Sequence, residues 1–518
     1  MSWQLALPLL IPFVGAIATL LAPRLGLQAR AVAVVTAAFH LVAAIHLGTS
    51  VAREGVLAAG MGGWAAPVGV VLVADALSAI MVVVTGVMGL AVAVYAAADI
   101  DRGREHAGWH ALFLVLIGGA TGAFLTGDLF NLYVWFEVML IASFGLMVLG
   151  GTRLQLDAGV KYVALNLVAT IFFLGAVGLI HGLAGTLTMA DLPAKLAAAD
   201  APLATDAAAL LLFGALAMKA GLFPLWFWLP AAYHAPPTAA TAIFSAILTK
   251  AGIYALMRTG TLVFPEGPLE QILLPVAIAT MVLGVIGAAA QKEVHRILSF
   301  HILSQVGYIA LGLALASPLA LMGAILYMVH NIIVKSVLFL IAGVGRRLTG
   351  SFALAQSGGL YAASPALSVL FLVAALGMAG LPPFSGFWGK LTLVQAGAET
   401  ADWLAVFAVL GVGLFTLFSM TKIWVQGYLK PHPAGRARSL SALPAGARPL
   451  LVAPIVGLIG LSLVMGLWPA PFIAAAEAAA EGLLEPGPYI AAVMGAEAVA
   501  ASAAGNAVQT AATTGVRP

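Results

Sequence analysis

The chain has 518 residues, 62% hydrophobic and only 8% charged, with 23 Lys and Arg against 20 Asp and Glu and a net charge of +3. Soluble domains carry about 25% charged residues, so this composition excludes one and implies a single integral domain, an all-α polytopic membrane protein. With zero cysteines, structural disulfides, thiolate zinc sites and cysteine-held iron–sulfur clusters are excluded, and any redox chemistry belongs to a partner.

At about 20 residues per crossing, apolar stretches predict helices near 4–22, 30–48, 72–95, 110–126, 129–150, 162–184, 207–223, 238–262, 272–290, 300–316, 319–343, 365–397, 404–427 and 450–468. That is about fourteen spans. The start, Met1-Ser2-Trp3-Gln4, lacks the basic residues of a cleavable signal, so the first span is expected to be retained. Arg24 and Arg30, Arg102 and Arg104, Arg153 and Lys161, Lys292 and Arg296, Arg346 and Arg347, and the group Lys430, Arg436, Arg438 and Arg448 all follow odd-numbered spans. Only Arg53, Lys195 and Arg258 follow even ones. The positive-inside rule then places the N-terminus outside the cell membrane. The basic residues lie in loops and form no aromatic and basic surface, so nucleic acid is set aside. Residues 1–470 form the integral domain, and 471–518 are an Ala-rich tail carrying Glu477, Glu481, Glu485 and Glu497, expected to be interfacial.

Two spans are interrupted alike, one at Lys219-Ala220-Gly221-Leu222-Phe223-Pro224 and the other at Gly377-Met378-Ala379-Gly380-Leu381-Pro382-Pro383. Proline removes a backbone hydrogen bond and glycine lets the chain leave the helix. Irregular backbone at membrane depth is tolerated only inside protein or beside water, and paired broken helices point to internal repeats. Two inverted five-helix repeats are expected, near 110–262 and 272–427.

Ionisable residues stranded in apolar sequence carry the functional signal, because a charge near the bilayer centre costs about 3 kcal/mol or more and commonly marks an ion path. Glu137 lies eight residues into its span, about 12 Å along a helix. An ionised carboxylate there needs a cation or a proton, which suits a relay. Lys219 just precedes the first break, where the carbonyl end of a half-helix and Glu137 are both expected to hold its ammonium. Lys250 lies twelve residues after Thr238 begins its span. His330 and Lys335 share a span, and only imidazole has an ordinary pKa near neutrality. Lys390 follows the second break. The competing reading for each is a packed, hydrogen-bonded core group. Asp75 and Lys422 lie near span ends and are read as caps or anchors, while His234 in a Pro-rich turn is either a mouth residue or a turn residue. Gly389-Lys390 is no phosphate loop, because Phe384 stands where glycine is required and Thr392 comes one residue late. No cofactor and no resident metal are expected.

Three segments carry a resemblance: Gly127-Asp128-Leu129-Phe130 through Asn131-Leu132-Tyr133-Val134-Trp135-Phe136-Glu137, Phe223-Pro224-Leu225-Trp226 with His234-Ala235-Pro236-Pro237-Thr238, and Pro382-Pro383-Phe384-Ser385-Gly386-Phe387-Trp388-Gly389-Lys390. The chain resembles the D-type subunits of Mrp-type multisubunit sodium/proton antiporters, which are similar to the antiporter-like proton-pumping subunits of respiratory complex I. The likeness covers nearly all of the predicted spans and fades in the tail. It implies that Glu137 and Lys219 are the controlling ion pair, that Lys250 and the His330/Lys335 segment are the central relay, and that Lys390 ends the second half. It also implies small hydrophobic partner subunits, a bacterial cell membrane, and protons with sodium, or potassium, as the transported ions. The buried groups are mostly cationic whereas a hard cation wants several oxygen ligands, so the sodium route is expected to be shared with partners. The alternative is a proton-pumping subunit of a complex I-like or hydrogenase-type redox complex.

Overall fold

The computed structural model describes residues 3–265 and 267–495. Met1, Ser2 and the end of the tail with Glu497 lie outside the described residues. In chain order the principal helices are α1 (Trp3–Leu21), α2 (Ala29–Glu54), α3 (Ala76–Asp99), α4 (Trp109–Leu125), α5 (Leu129–Val148), α6 (Arg153–Ala184), α7 (Pro202–Ala220), α8 (Trp228–Ala232), α9 (Thr238–Arg258) and α10 (Leu269–Ala290). They continue with α11 (Val294–Ala314), α12 (Pro318–Thr349), α13 (Pro365–Ala379), α14 (Ser385–Glu399), α15 (Trp403–Ile423), α16 (Ala447–Leu467), α17 (Ala470–Leu484) and α18 (Gly487–Met494). Among the described residues, 12 helical stretches are long and apolar enough to cross a membrane, and α4 and α13 are shorter apolar helices.

Helix starts follow local capping chemistry. Asp128 accepts from the Asn131 amide at 2.7 Å to begin α5, Ser317 begins α12, and Asp402 begins α15. Each side-chain oxygen satisfies an amide that the first helical turn leaves free. Asp75 and Ser78 cap one another at the start of α3, so the span expected at 72–95 begins at Ala76 and runs on to Asp99. Just before it, β2 (Val71–Ala74) pairs antiparallel with β1 (Leu57–Gly60), Leu57 opposite Ala74 and Gly60 opposite Val71. The stretch expected at 162–184 begins earlier, at Arg153, and the Lys161–Asp157 pair at 2.6 Å sits on its extra turns. The single interrupted span expected at 365–397 is two helices, α13 and α14, because Gly380 takes a left-handed φ of 87° that closes α13.

The core sits along α9 and α12, whose apolar windows are buried throughout. Helices that are apolar on every side belong in such a position. Outer helices present apolar residues outward, Ile171 and Phe172 on α6 and Phe407 and Leu414 on α15 among them. α17 packs on α3 and α12 through Ala476, Ala479, Ala480 and Leu483.

Candidate functional site

All five predicted basic groups inside the bundle are buried, Lys250 and Lys335 at 0% exposure, His330 at 1%, Lys219 at 6% and Lys390 at 7%. The geometry differs from one to the next, and the differences follow from the helices that hold them.

Glu137 on α5 and Lys219 on α7 come together, carboxylate oxygen to ammonium, at 3.6 Å. Thr170 of α6 stands between them, donating to Glu137 Oε1 at 2.6 Å and accepting from Lys219 Nζ at 3.5 Å. The half-helix end expected to hold Lys219 is otherwise engaged. The Met218 carbonyl accepts from the Trp228 indole at 2.9 Å, and Gly221, with φ at 79°, turns its own amide back onto Ala217 and Met218. Lys219 therefore answers to side chains of neighbouring helices alone.

Lys250 bends back along α9 and donates to the Ser245 carbonyl at 2.7 Å. Its helix crosses α7 at Gly252, where an added methyl would fall within 2.8 Å of the Ala220 and Lys219 backbone. That close approach sets the Lys250 and Lys219 segments side by side. On α12, Lys335 Nζ has no protein hydrogen-bond partner among the described residues. Lys250 and Lys390 both lie within electrostatic reach of it.

His330, five residues before Lys335, faces the second break instead. Its Nδ1 is 2.7 Å from Ser385 Oγ at the start of α14, and Ser385 Oγ is 2.7 Å from Ser462 Oγ of α16. Lys390 on α14 has what Lys219 lacks. Its ammonium donates to the free carbonyls of Met378 at 3.2 Å and Ala379 at 2.9 Å, at the end of α13, and lies over the Tyr308 ring at 4.9 Å. The negative end of a short helix is a natural seat for a cation.

Asp75 is a cap, as expected, and also the partner of Arg258, to which it is directly hydrogen-bonded. Arg258 is thus no loop residue: it is 4% exposed, inside the end of α9. Lys422 anchors a helix end, donating to Ala289 and Gln291 carbonyls at 2.9 and 2.5 Å. His234 lines a cavity of about 840 Å³ with Asp99, Glu293, Arg346 and Arg347, its Nε2 3.3 Å from Arg296. Burial first, and then the Arg296 charge, hold this imidazole below its ordinary pKa. Thr170 was not anticipated, since a lone Thr in an apolar helix carries no signal. His301, buried and 2.6 Å from Ser419 Oγ, was also missed, although an imidazole inside an apolar run gives the same signal as His330.

The D-type subunit of the sodium/proton antiporter of Alkalihalophilus pseudofirmus is 41% identical over 493 residues, covering 94% of this chain and 98% of the relative. Its namesake in Bacillus subtilis is 36% identical with the same coverage. A chain of the Mrp complex from Dietzia superposes with a TM-score of 0.86 at 32% identity, covering 96% of this chain and 100% of that one. Residues 126–416 match the family described as NADH:quinone oxidoreductase/Mrp antiporter, TM. This multi-pass membrane protein belongs to the NADH:quinone oxidoreductase/Mrp antiporter family, on the branch of the D-type antiporter subunits.

Proposed function

We propose that the chain is the proton-translocating subunit of a multisubunit sodium/proton antiporter, moving protons between Glu137–Lys219, Lys250, His330/Lys335 and Lys390. The observation that carries this is the Glu137–Lys219 contact at 3.6 Å, with Thr170 touching both partners. Either group can change its protonation only by altering the balance of the other. A proton delivered to Glu137 removes the counter-charge of Lys219 and makes that ammonium a donor to the next station. Each later station is a buried basic group, so a proton arriving at one repels a proton on the next, and coupling along the membrane plane is electrostatic. Protons flowing inward would drive the metal cation outward, with its route shared with partner subunits.

The expected two inverted repeats belong to the same proposal. In each, a helix of 32 residues, α6 or α12, precedes the break, and a glycine with positive φ, Gly221 or Gly380, sits at it. Glu137 is 22% exposed at its side chain, on a flank where Val134 and Ile141 are exposed too. A carboxylate on an apolar flank favours a neighbouring membrane subunit over lipid. The orientation with the N-terminus outside, in a bacterial cell membrane, is supported by the basic loops and strengthened by burial of Arg258, one of three even-side exceptions.

A second reading, a proton pump of a redox-driven complex, is favoured by the likeness to a chain of an archaeal membrane-bound sulfane sulfur reductase, 28% identical with a TM-score of 0.87 and covering 95% of this chain and 99% of that one. Sodium-dependent and potassium-dependent proton flux in inverted vesicles carrying the whole gene cluster, wild type against Lys219→Ala, separates the two. Sodium-triggered flux that vanishes in the variant supports antiport through Lys219. Flux that needs an electron donor such as NADH moves the protein to the redox class.

A further inference from the structure

The cations considered so far account for motion along the middle of the membrane and leave open how the second half reaches either surface. The seam between α11 and α15 contains a second set of polar groups. His301, Gln305 and Tyr308 recur at four and three residues along α11 and so share one face of it. Tyr308 donates to the Val409 carbonyl of α15 at 2.9 Å, and His301 Nε2 meets Ser419 Oγ at 2.6 Å. The two helices are therefore stitched antiparallel at both ends of a stretch about 10 Å long.

One end of this stretch is Lys390, over the Tyr308 ring at 4.9 Å. Tyr327 of α12 closes the middle, its hydroxyl donating to Gln305 Oε1. The other end is Lys422, three residues beyond Ser419, whose ammonium lies on the Ala289 and Gln291 carbonyls beside basic Lys292. Along α11, His301 Nδ1, Ser304 Oγ and Gln305 Nε2 are buried and have no protein partner among the described residues. Buried polar atoms are almost always satisfied, by water when protein does not serve. No residue of α10 between Ile272 and Ala290 is ionisable, and the charges that reach His301 are Lys335 of α12 and Lys390 of α14.

We propose that His301, oriented by Ser419, is a proton-carrying residue that links Lys390 to the basic-loop end of the bundle along the α11–α15 seam. The inference rests on the proton-translocating reading above and adds an exit or entry for its last station. An imidazole can take a proton at Nδ1 and release another from Nε2 toward Ser419, leaving the opposite tautomer with no net change of atoms. A ring turn or a reverse hop resets it. Charge on His301 and charge on Lys390 repel, so a proton on one disfavours a proton on the other.

The test is His301→Gln in the assembled complex, because Gln keeps a hydrogen bond to Ser419 but cannot titrate. Proton flux in inverted vesicles, its pH profile, and assembly on native gels are measured together, with Ser419→Ala as the second variant. The expected result is normal assembly with flux lowered about tenfold or more in His301→Gln, and a smaller loss with a displaced pH profile in Ser419→Ala. Flux within about twofold of wild type and an unchanged profile in His301→Gln overturns the inference. If that variant does not assemble, His301→Asn and Ser419→Ala carry the test, and full flux in both overturns it. Should wild-type flux answer to an electron donor rather than sodium, the antiport reading fails, and the same variants are compared under that drive.

Discussion

Lys219 of α7 and Glu137 of α5 stand 3.6 Å apart, and the Thr170 hydroxyl on α6 bonds to both. Three helices thus converge on one ion pair. Hydrogen bonds to charged groups contribute about 1.5–3 kcal/mol, which corresponds to a change of roughly ten- to a hundredfold in whatever equilibrium they support. Thr170→Val, which keeps shape and loses the hydroxyl, is expected to lower proton flux about tenfold with assembly intact. Thr170→Ser should retain most of it. Equal flux in the Val variant and wild type would remove Thr170 from the relay.

The buried Asp75–Arg258 pair is expected to govern stability rather than transport. Arg258 also lies over the Tyr489 ring at 4.9 Å, so the pair ties α3, α9 and α18 together. Removing one partner leaves an uncompensated buried charge and costs about 3–5 kcal/mol. Arg258→Met should lower the melting temperature of the purified protein strongly, and adding Asp75→Asn should restore part of the loss. Flux per assembled complex should stay near wild type. No recovery in the double variant would mean that Arg258 acts through packing on Tyr254 and Tyr489 alone.

His234 supplies a pH dependence outside the membrane spans. Burial and Arg296 hold its pKa below 6.5, while the Pro230 carbonyl and Asp157 act the other way and Lys161 acts with Arg296. The unfolded chain takes up this proton as pH falls through about 6.5, and the folded chain resists it until lower pH. The stability that the neutral ring contributes is thus fully present above 6.5 and lost as pH falls through that value toward the lowered pKa. Glu293, whose pKa burial raises above 4.5, acts the opposite way and favours the folded state as pH falls through its raised pKa toward 4.5. Thermal unfolding between about pH 7.5 and 6 should show falling stability with acidification, flattened in His234→Gln. An unchanged slope in the variant would assign the trend to other groups.

Much of this arrangement was legible from residue type and position, and the misses have physical causes. A charge in apolar sequence is costly enough to be visible, so Glu137, Lys219, Lys250, Lys335 and Lys390 stood out, and the four lysines are buried inside the bundle as that cost requires. Neutral polar groups at the same depth cost far less, so Thr170, Ser385 and Ser419 left no trace until their partners were placed. The partner of each lysine was equally hidden. Both breaks offer a carbonyl end, but only Lys390, which follows its break, can fold back onto that end. Lys219 lies inside the last turn before its own break, and the Trp228 indole takes the carbonyl it would need. Helix ends failed where capping overrode hydropathy, as at Asp75, where an apolar run was cut into a strand and a helix.

Lys390 gives the sharpest remaining test because its seat is made of backbone. Gly380, with φ at 87°, ends α13 so that the Met378 and Ala379 carbonyls point at the ammonium, and the Lys390 chain passes over the glycine itself. A methyl at that position would fall 2.5 Å from Lys390 Cδ. Gly380→Ala therefore meets two penalties, a left-handed backbone conformation costing about 1–2 kcal/mol and the displacement of Lys390 from its carbonyls. The variant is expected to assemble, to melt a few degrees lower, and to lose flux to nearly the level of Lys390→Ala. Gly221→Ala is the informative comparison. Its backbone is equally left-handed, with φ at 79°, yet its nearest neighbours are Leu303 and Leu229, while Lys219 is held by Glu137 and Thr170. It should show the stability loss with flux largely preserved. Similar flux losses in both glycine variants would mean that the breaks act as hinges rather than as the seat of one lysine.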